Sequence, residues 1–208
     1  MRFRHVVSLL GALALSAAFA ASARAQLGGG GGVNLAGVGH DKGARTSPVL
    51  IVEFGDFGCS YCAKFAAETY GRIDSAYIAK GRVRWKMVPY VTGMFRNSRE
   101  VTEAAECAAE QGKFWPMHDL LFQRRREWMA SGNVRALITR WGAELQLDAT
   151  AFARCAMNPN IAERIRRNDA FAARLGIRGT PTFFVNGRVI PGAIPWDLFR
   201  QVIDEASR

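Results

Sequence analysis

Glu53-Phe54-Gly55-Asp56-Phe57-Gly58-Cys59-Ser60-Tyr61-Cys62 is the stretch on which the reading of this chain turns. Two periodicities meet in it. Pro48 opens the run Val49-Leu50-Ile51-Val52-Glu53-Phe54, short and rich in β-branched residues and closed by Gly55, which reads as a buried strand. Beyond it, Phe65, Ala66, Tyr70, Ile73 and Ile78 drift at helical spacing from Tyr61 to about Lys80, and Gly81 ends the pattern. Cys59 and Cys62 therefore form a C-x-x-C at a strand-to-helix junction. A helix N-terminus presents unpaired N–H groups and the positive end of the helix dipole, both of which favour a thiolate. Cys59 is expected to be the nucleophile, with a lowered pKa, and Cys62, one turn further in, to be the less exposed of the two.

Working outward, Val83-Arg84-Trp85-Lys86-Met87-Val88 alternates as a second strand. From about Arg96 to Arg174 the sequence is helix-rich and punctuated by Gly112, Gly132, Gly142 and Pro159, which predicts four or five short helices. Thr182-Phe183-Phe184-Val185 reads as a strand, Asn186-Gly187 as a two-residue hairpin turn, Arg188-Val189-Ile190 as the returning strand, and Asp197 to Ala206 as a closing helix. Strand–helix–strand suits a parallel crossover and the hairpin an antiparallel edge. The fold class predicted is α/β: a mixed sheet with flanking helices over residues 47–208, with an inserted helical subdomain at about 93–174.

Of the 208 residues, 49% are apolar and 22% charged, a globular balance that excludes a disordered or collagen-like chain. No internal repeat is visible, which sets solenoids aside. Residues 1–25 read as a secretory signal peptide: Arg2, Arg4 and His5, an uncharged apolar or small run from Val6 to Ala21, then Ala23-Arg24-Ala25 as an A-x-A cleavage site before Gln26. No cysteine stands near that site and no twin-arginine pair precedes it, so export of an unfolded chain and a periplasmic location are expected. Gly28 to Gly32 is an unbroken glycine run, and 26–46 reads as a flexible leader. Without residues 1–25 the chain keeps 25 basic and 18 acidic side chains, a net +7 that reads as a solvated basic surface. No nucleic-acid motif accompanies it, and Arg124-Arg125-Arg126 reads as a solvated face.

The cysteine pair has three readings. A zinc site needs two further ligands; there is no second C-x-x-C, and after the signal only His40 and His118 remain, so no metal is expected. A purely structural disulfide across two residues constrains the unfolded chain less than a long loop does. Redox chemistry is the reading favoured. Cys107 and Cys155, 48 residues apart in two predicted helices, invite a second, structural disulfide in an exported protein, although four cysteines allow three connectivities and two buried thiols are the alternative. Phe114, Trp115, Met117, Leu120, Leu121 and Phe122 read as a helical core stripe or, alternatively, a groove for unfolded substrates; His118 reads as a helix-surface or capping residue.

The quoted stretch is similar to the active-site segment of the DsbA-like thioredoxin family. Gly176-Ile177-Arg178-Gly179-Thr180-Pro181-Thr182-Phe183-Phe184-Val185-Asn186-Gly187 resembles that family's cis-proline segment, and Gln111-Gly112-Lys113-Phe114-Trp115 with His118-Asp119-Leu120-Leu121-Phe122 resembles its inserted helical region. The resemblance runs from about Pro48 to the C-terminus. It implies a thioredoxin fold with a helical insertion and thiol:disulfide oxidoreductase activity in the cell envelope. It makes Cys59 the attacking and Cys62 the resolving cysteine, Pro181 the proline after a cis bond, and Glu53 the buried acid that relays the Cys62 proton. Thr180 would offer its backbone to an extended substrate, and Ser60 and Tyr61 would flank it. Ser60-Tyr61 stands where the oxidase that names the family has Pro-His, so no imidazole supports the thiolate from within the dipeptide. The implied activity is introduction of disulfides into reduced or unfolded exported proteins, with no cofactor beyond the Cys59–Cys62 pair and with reoxidation by a quinone-linked membrane partner. The alternatives are a reductase or isomerase and a non-redox peptide-binding chaperone module. The glycine-rich leader is too short and flexible for a dimerisation module, so a monomer is expected.

Overall fold

Val49–Gly55 is a strand whose residues are buried on both of its faces, and this fixes its place at the centre of the sheet. The computed structural model describes residues 34–208, so the expected signal peptide 1–25 and the run Gly28–Gly32 lie outside the described residues. The strands are β1 (His40–Lys42), β2 (Val49–Gly55), β3 (Val83–Pro89), β4 (Thr182–Val185) and β5 (Arg188–Pro191), in the order β1-β3-β2-β4-β5. Only β2 and β3 run parallel; the other pairs are antiparallel. A parallel pair needs a crossover, which α1 (residues 60–78) supplies. This helix alternates α-helical Ser60–Phe65 and Gly71–Ile73 with π-helical Ala66–Tyr70 and Asp74–Ile78.

Side-chain parity divides the core. Val49 and Ile51 of β2, Trp85 and Met87 of β3, and Phe183 of β4 face α1, where Phe65 packs on Trp85 and Phe183. Phe199 and Ile203 of the closing helix α8 (Trp196–Ala206) join them. Val52 and Phe54 point the other way with Val88 and Phe184, against Phe171 and Ala172. Glu53 is an odd-numbered residue of β2, so its register puts it opposite Met87 and Phe183 on the α1 side.

The insertion holds six helices, where four or five were expected: α2 (Ser98–Ala109), α3 (Phe114–Gln123), α4 (Arg125–Ala130), α5 (Val134–Glu144), α6 (Ala149–Cys155) and α7 (Pro159–Arg174). Three starts carry local caps. Asn133 accepts from the Ala136 N–H, Asp148 from Ala151 and Asn158 from Asn160, with Pro159 at the first helical position where its missing N–H costs nothing. Cys107 in α2 and Cys155 at the end of α6 are joined by a disulfide, with Cα atoms 5.7 Å apart. At the hairpin, Asn186 and Gly187 have φ of 45° and 86°, both left-handed, as a tight turn matching the strand twist requires.

Three expectations need correction. The stretch 26–46 is not leader throughout: β1 lies within it and pairs with β3 along His40↔Met87. Its side chains are polar, so no alternation announces it, and tertiary contacts hold it. Asp41 accepts from Arg84 (3.0 and 3.2 Å) and Lys86 (3.1 Å), Lys42 reaches Asp74 (2.7 Å), and His40 stacks on Phe114 at 3.7 Å between ring centroids. Burial alone would raise the Asp41 carboxyl, but the hydrogen bonds from Arg84 and Lys86 more than offset it and leave it below its ordinary value. His118 is not at the surface: it is 1% exposed, ringed by Phe57, Tyr70, Trp115 and Phe122, and desolvation holds its pKa down. Arg124-Arg125-Arg126 is not a uniformly solvated face either. Arg124 pairs with Glu144 (2.6 Å), and the Nε of Arg125 donates to the Gly58 carbonyl (2.7 Å). Phe114, Met117, Leu120, Leu121 and Phe122 are buried core residues, with Trp115 packed against them.

Candidate active site

The sheet's central strand delivers its chain into a turn held by one buried carboxylate. Asp56, 1% exposed, accepts from the Gly58 N–H (2.8 Å), from the Thr92 N–H and hydroxyl (2.9 and 2.8 Å) and from the Ser98 hydroxyl. Its main-chain carbonyl takes the Cys59 N–H at 3.0 Å. A Cβ on Gly58 would lie 2.2 Å from Cβ of Phe95, so only glycine fits there. The turn ends with Cys59 as the N-cap of α1, in extended conformation with φ −72° and ψ 127°. Cys62 is thereby one helical turn in and faces the core.

Both cysteines are free thiols and buried, at 5% and 0% exposure. The Cys59 thiol donates to the Thr180 carbonyl at 3.2 Å, and the Thr180–Pro181 peptide is cis. The loop before β4 thus meets the turn after β2 across 121 residues of sequence. A hydrogen bond from the Cys62 thiol, assisted by the Thr180 side chain and the backbone N–H groups of Cys62 and Tyr61, lowers the Cys59 pKa to about 5 against the opposing effect of burial. Burial pushes the Cys62 thiol well up, and its neighbours Cys59 and Glu53 push it further. The two sulfurs are thus set apart: one holds charge easily and the other holds its proton.

Glu53 is fully buried, and its Oε2 accepts from the Trp85 indole N–H at 3.2 Å. Desolvation raises its pKa to about 8, only partly countered by that hydrogen bond. Near neutral pH the carboxyl is mostly protonated on the side of the sheet that Cys62 faces. Because the folded pKa lies above the ordinary 4.5, the native state binds the extra proton. Glu53 therefore weakens the fold progressively as pH rises from about 4.5 to about 8. Glu53→Gln keeps an acceptor for Trp85 and removes the titration, so urea unfolding should show a gain of about 3 kcal/mol at pH 7 that vanishes toward pH 4.5. A pH-independent gain, or none, would contradict this burial account.

Ser60 and Tyr61 are exposed, Tyr61 at 65%, and Thr180 is half-buried. Met94, next to Phe95 in the loop after β3, is an exposed apolar residue that sequence reading missed. So were Asp56, Trp85, Thr92, Ser98 and Arg125. Of these only Asp56 carried a local signal, since Asp-x-Gly favours a turn closed by the aspartate side chain. Of the apolar residues from 114 to 122, Phe122 alone lines an open cleft between α1 and α3, beside Ala63, Ala66 and Tyr70. Among the described residues no three His, Cys, Asp or Glu side chains converge on a metal-sized site, and no helix is long and apolar enough to cross a membrane.

Against known proteins, a family model described as thioredoxin matches residues 36–205. Na(+)/H(+) antiporter NhaA 3 of Salinispora tropica is 37% identical over 149 residues, which is 72% of this chain but 22% of the antiporter. The chain spans about a quarter of the length of the antiporters it matches, from 22% to 26%. Disulfide bond formation protein D of Bacillus subtilis is 26% identical over 176 residues, 78% of this chain and 74% of that protein. The crystal structure of oxidised BdbD from Bacillus subtilis superposes with a TM-score of 0.75 at 22% identity, over 84% of this chain and 95% of that one, a likeness of fold.

Proposed function

The chain belongs to the thioredoxin family and has its DsbA-like fold, and from that premise we propose that it is a thiol:disulfide oxidoreductase that donates the Cys59–Cys62 disulfide to exported proteins. One observation carries the reading: Cys59 sits in the helix-capping turn against Thr180 with its pKa near 5, while Cys62 behind it keeps its proton. In the oxidised protein a substrate thiolate attacks Sγ of Cys59. The Cys59–Cys62 bond breaks, a substrate–Cys59 disulfide forms, and the electron pair leaves on the Cys62 sulfur, which takes up a proton with Glu53 as its nearby acid. A second substrate thiolate then attacks the substrate sulfur of the mixed disulfide. The substrate leaves oxidised by two electrons, and Cys59 departs as a thiolate.

The direction follows from the leaving group. Against an ordinary thiol of pKa 9.0, a Cys59 pKa of about 5 stabilises the reduced pair about a hundredfold at pH 7. A pair that prefers reduction gives its disulfide away. The hydrogen bonds of the turn do here what an imidazole in the dipeptide does elsewhere. Thr180 and Pro181 form the edge on which an extended substrate would lie, with Ser60 and Tyr61 across from it. The basic start, apolar run and Ala23-Arg24-Ala25 support export and cleavage after Ala25, with the protein acting in the periplasm as a monomer on reduced or unfolded chains. A quinone-linked membrane partner would restore the disulfide. The protein-disulfide oxidoreductases and disulfide bond formation proteins among its relatives support the same reading.

Equilibration of the Cys59–Cys62 pair against a glutathione redox buffer, with Cys107 and Cys155 followed separately, tests it. A potential near or above that of an oxidising envelope is expected. A far more negative potential would mean a pair that prefers to stay oxidised, hence a reductase fed by an electron donor.

A further inference from the structure

We propose that Arg125, from the helical insertion, is a positioning residue for the attacking cysteine: its Nε donates to the Gly58 carbonyl at 2.7 Å and so fixes the peptide group that carries the Cys59 N–H. This rests on the thiol-exchange reading of the same site and assigns the insertion a part in it.

The Gly58–Cys59 peptide is gripped at both ends. Its N–H is bonded to the Asp56 carbonyl at 3.0 Å, and its oxygen is the one Arg125 takes. The preceding N–H, of Gly58 itself, is held by the Asp56 carboxylate at 2.8 Å, and the α-carbon of Gly58 is pressed against Phe95. Asp56 and Phe95 come from the loops that follow β2 and β3. Arg125 comes from the helices of the insertion, where it is half-buried at the first position of α4.

Its helix is tied back to the same turn. Asn97 donates to the carbonyls of Trp128 (2.8 Å) and Ser131 (3.2 Å) in and after α4, and its neighbour Ser98 bonds the Asp56 carboxylate. The contacts close a ring: Gly58, Asp56, Ser98, Asn97, α4, Arg125 and Gly58 again. Trp128, fully buried with its indole N–H on the Leu121 carbonyl at 2.8 Å, fixes α4 within that ring. A guanidinium on a carbonyl is a charge-assisted bond, stronger than a neutral one and directional. It limits rotation of the peptide that aims the Cys59 side chain. That aim decides whether Sγ stays within reach of the Cys62 thiol and of the Tyr61 and Cys62 N–H groups. Without Arg125 the carbonyl has no partner from the insertion, the turn gains conformations, and the thiolate meets its donors only part of the time.

The test is Arg125→Gln and Arg125→Lys in the mature chain, with three readouts: the titration of Cys59 by thiolate ultraviolet absorbance, the equilibrium with glutathione, and urea stability. Arg125→Gln is expected to raise the Cys59 pKa by about one unit, moving the equilibrium at pH 7 about tenfold toward the disulfide. Arg125→Lys, which keeps one charged donor, should recover most of that shift. An unmoved Cys59 titration and equilibrium in Arg125→Gln would overturn the proposal, whatever its stability, and leave Arg125 a fold contact alone. A shift that Arg125→Lys fails to reverse would also overturn it, because the donated bond would not be the cause. Should Arg125→Gln not fold, Arg125→Lys against the parent decides: a titration within about a third of a unit of the parent is expected, and a full-unit rise overturns the proposal. If the parent does not exchange with glutathione at all, the redox reading itself fails; a normal parent with an unmoved Arg125→Gln sinks only the role of Arg125.

Discussion

Cys59→Ser is expected to bring thiol–disulfide exchange with peptide substrates down to the uncatalysed background. It removes the one sulfur in the described chain that combines a free thiol, a pKa near 5 and a place at the mouth of the turn. Cys62→Ser should behave differently. Incubated with a disulfide-bonded peptide, it should form the bond through Cys59 and hold it as a mixed disulfide, visible by mass, because no second thiol stands behind to release it. The pH dependence follows from the same asymmetry. With a depressed pKa the Cys59 thiolate is present at neutral pH and lost as pH falls through about 5. Alkylation of Cys59 in the reduced protein should therefore be nearly flat from pH 8 to pH 6 and about tenfold slower at pH 4 than at pH 7. Exchange surviving in Cys59→Ser, or an alkylation midpoint near that of an ordinary thiol, would remove the basis of the assignment.

Removing the disulfide of the insertion should cost about 4 kcal/mol, the chain-entropy value for a loop of its length, the paired positions being 48 apart in sequence. In Cys107→Ala/Cys155→Ala that corresponds to a fall in Tm of about 8–16 °C for a chain of this size. The bridge ties the buried end of α2 to α6. Exchange at Cys59 is a separate readout, since the bridge lies in the insertion and takes no part in the turn. A loss below about 1 kcal/mol in urea unfolding would show that the unfolded chain is already restricted there without the bridge.

What the sequence made legible was local. The run 49–54 and the helical drift after Tyr61 are properties of neighbouring residues, and so is the Asn186-Gly187 turn; each stands in the structure within a residue or two of where it was read. Cys59, Cys62, Glu53, Thr180 and Pro181 were nameable because two short motifs carry them, and the fold brings Cys59 to Thr180 and sets Glu53 on the sheet face that α1 covers. The rest depended on neighbours far away in the chain. β1 has no apolar pattern and exists through Arg84, Lys86 and Phe114. His118 is buried by Phe57, Tyr70 and Trp115, drawn from separate elements. Arg125 lies in a basic triplet that composition alone assigns to solvent, and its target, Gly58, is 67 residues away. No local rule reaches such pairs.

The separation of Cys59 from Thr180 has a consequence in time. β4 can pair with β2 only once the chain has been made through the whole insertion, because residues 98–174 lie between β3 and β4. Contacts of such long sequence separation form late, since their loop-closure cost must be met before they stabilise anything. A chain that ends before residue 180 therefore holds the Cys59–Cys62 pair with no Thr180 carbonyl opposite it. The pair's own donors, the Cys62 thiol and the Tyr61 and Cys62 N–H groups, are already present in such a chain, so what the C-terminal segment adds is the edge formed by Thr180 and Pro181.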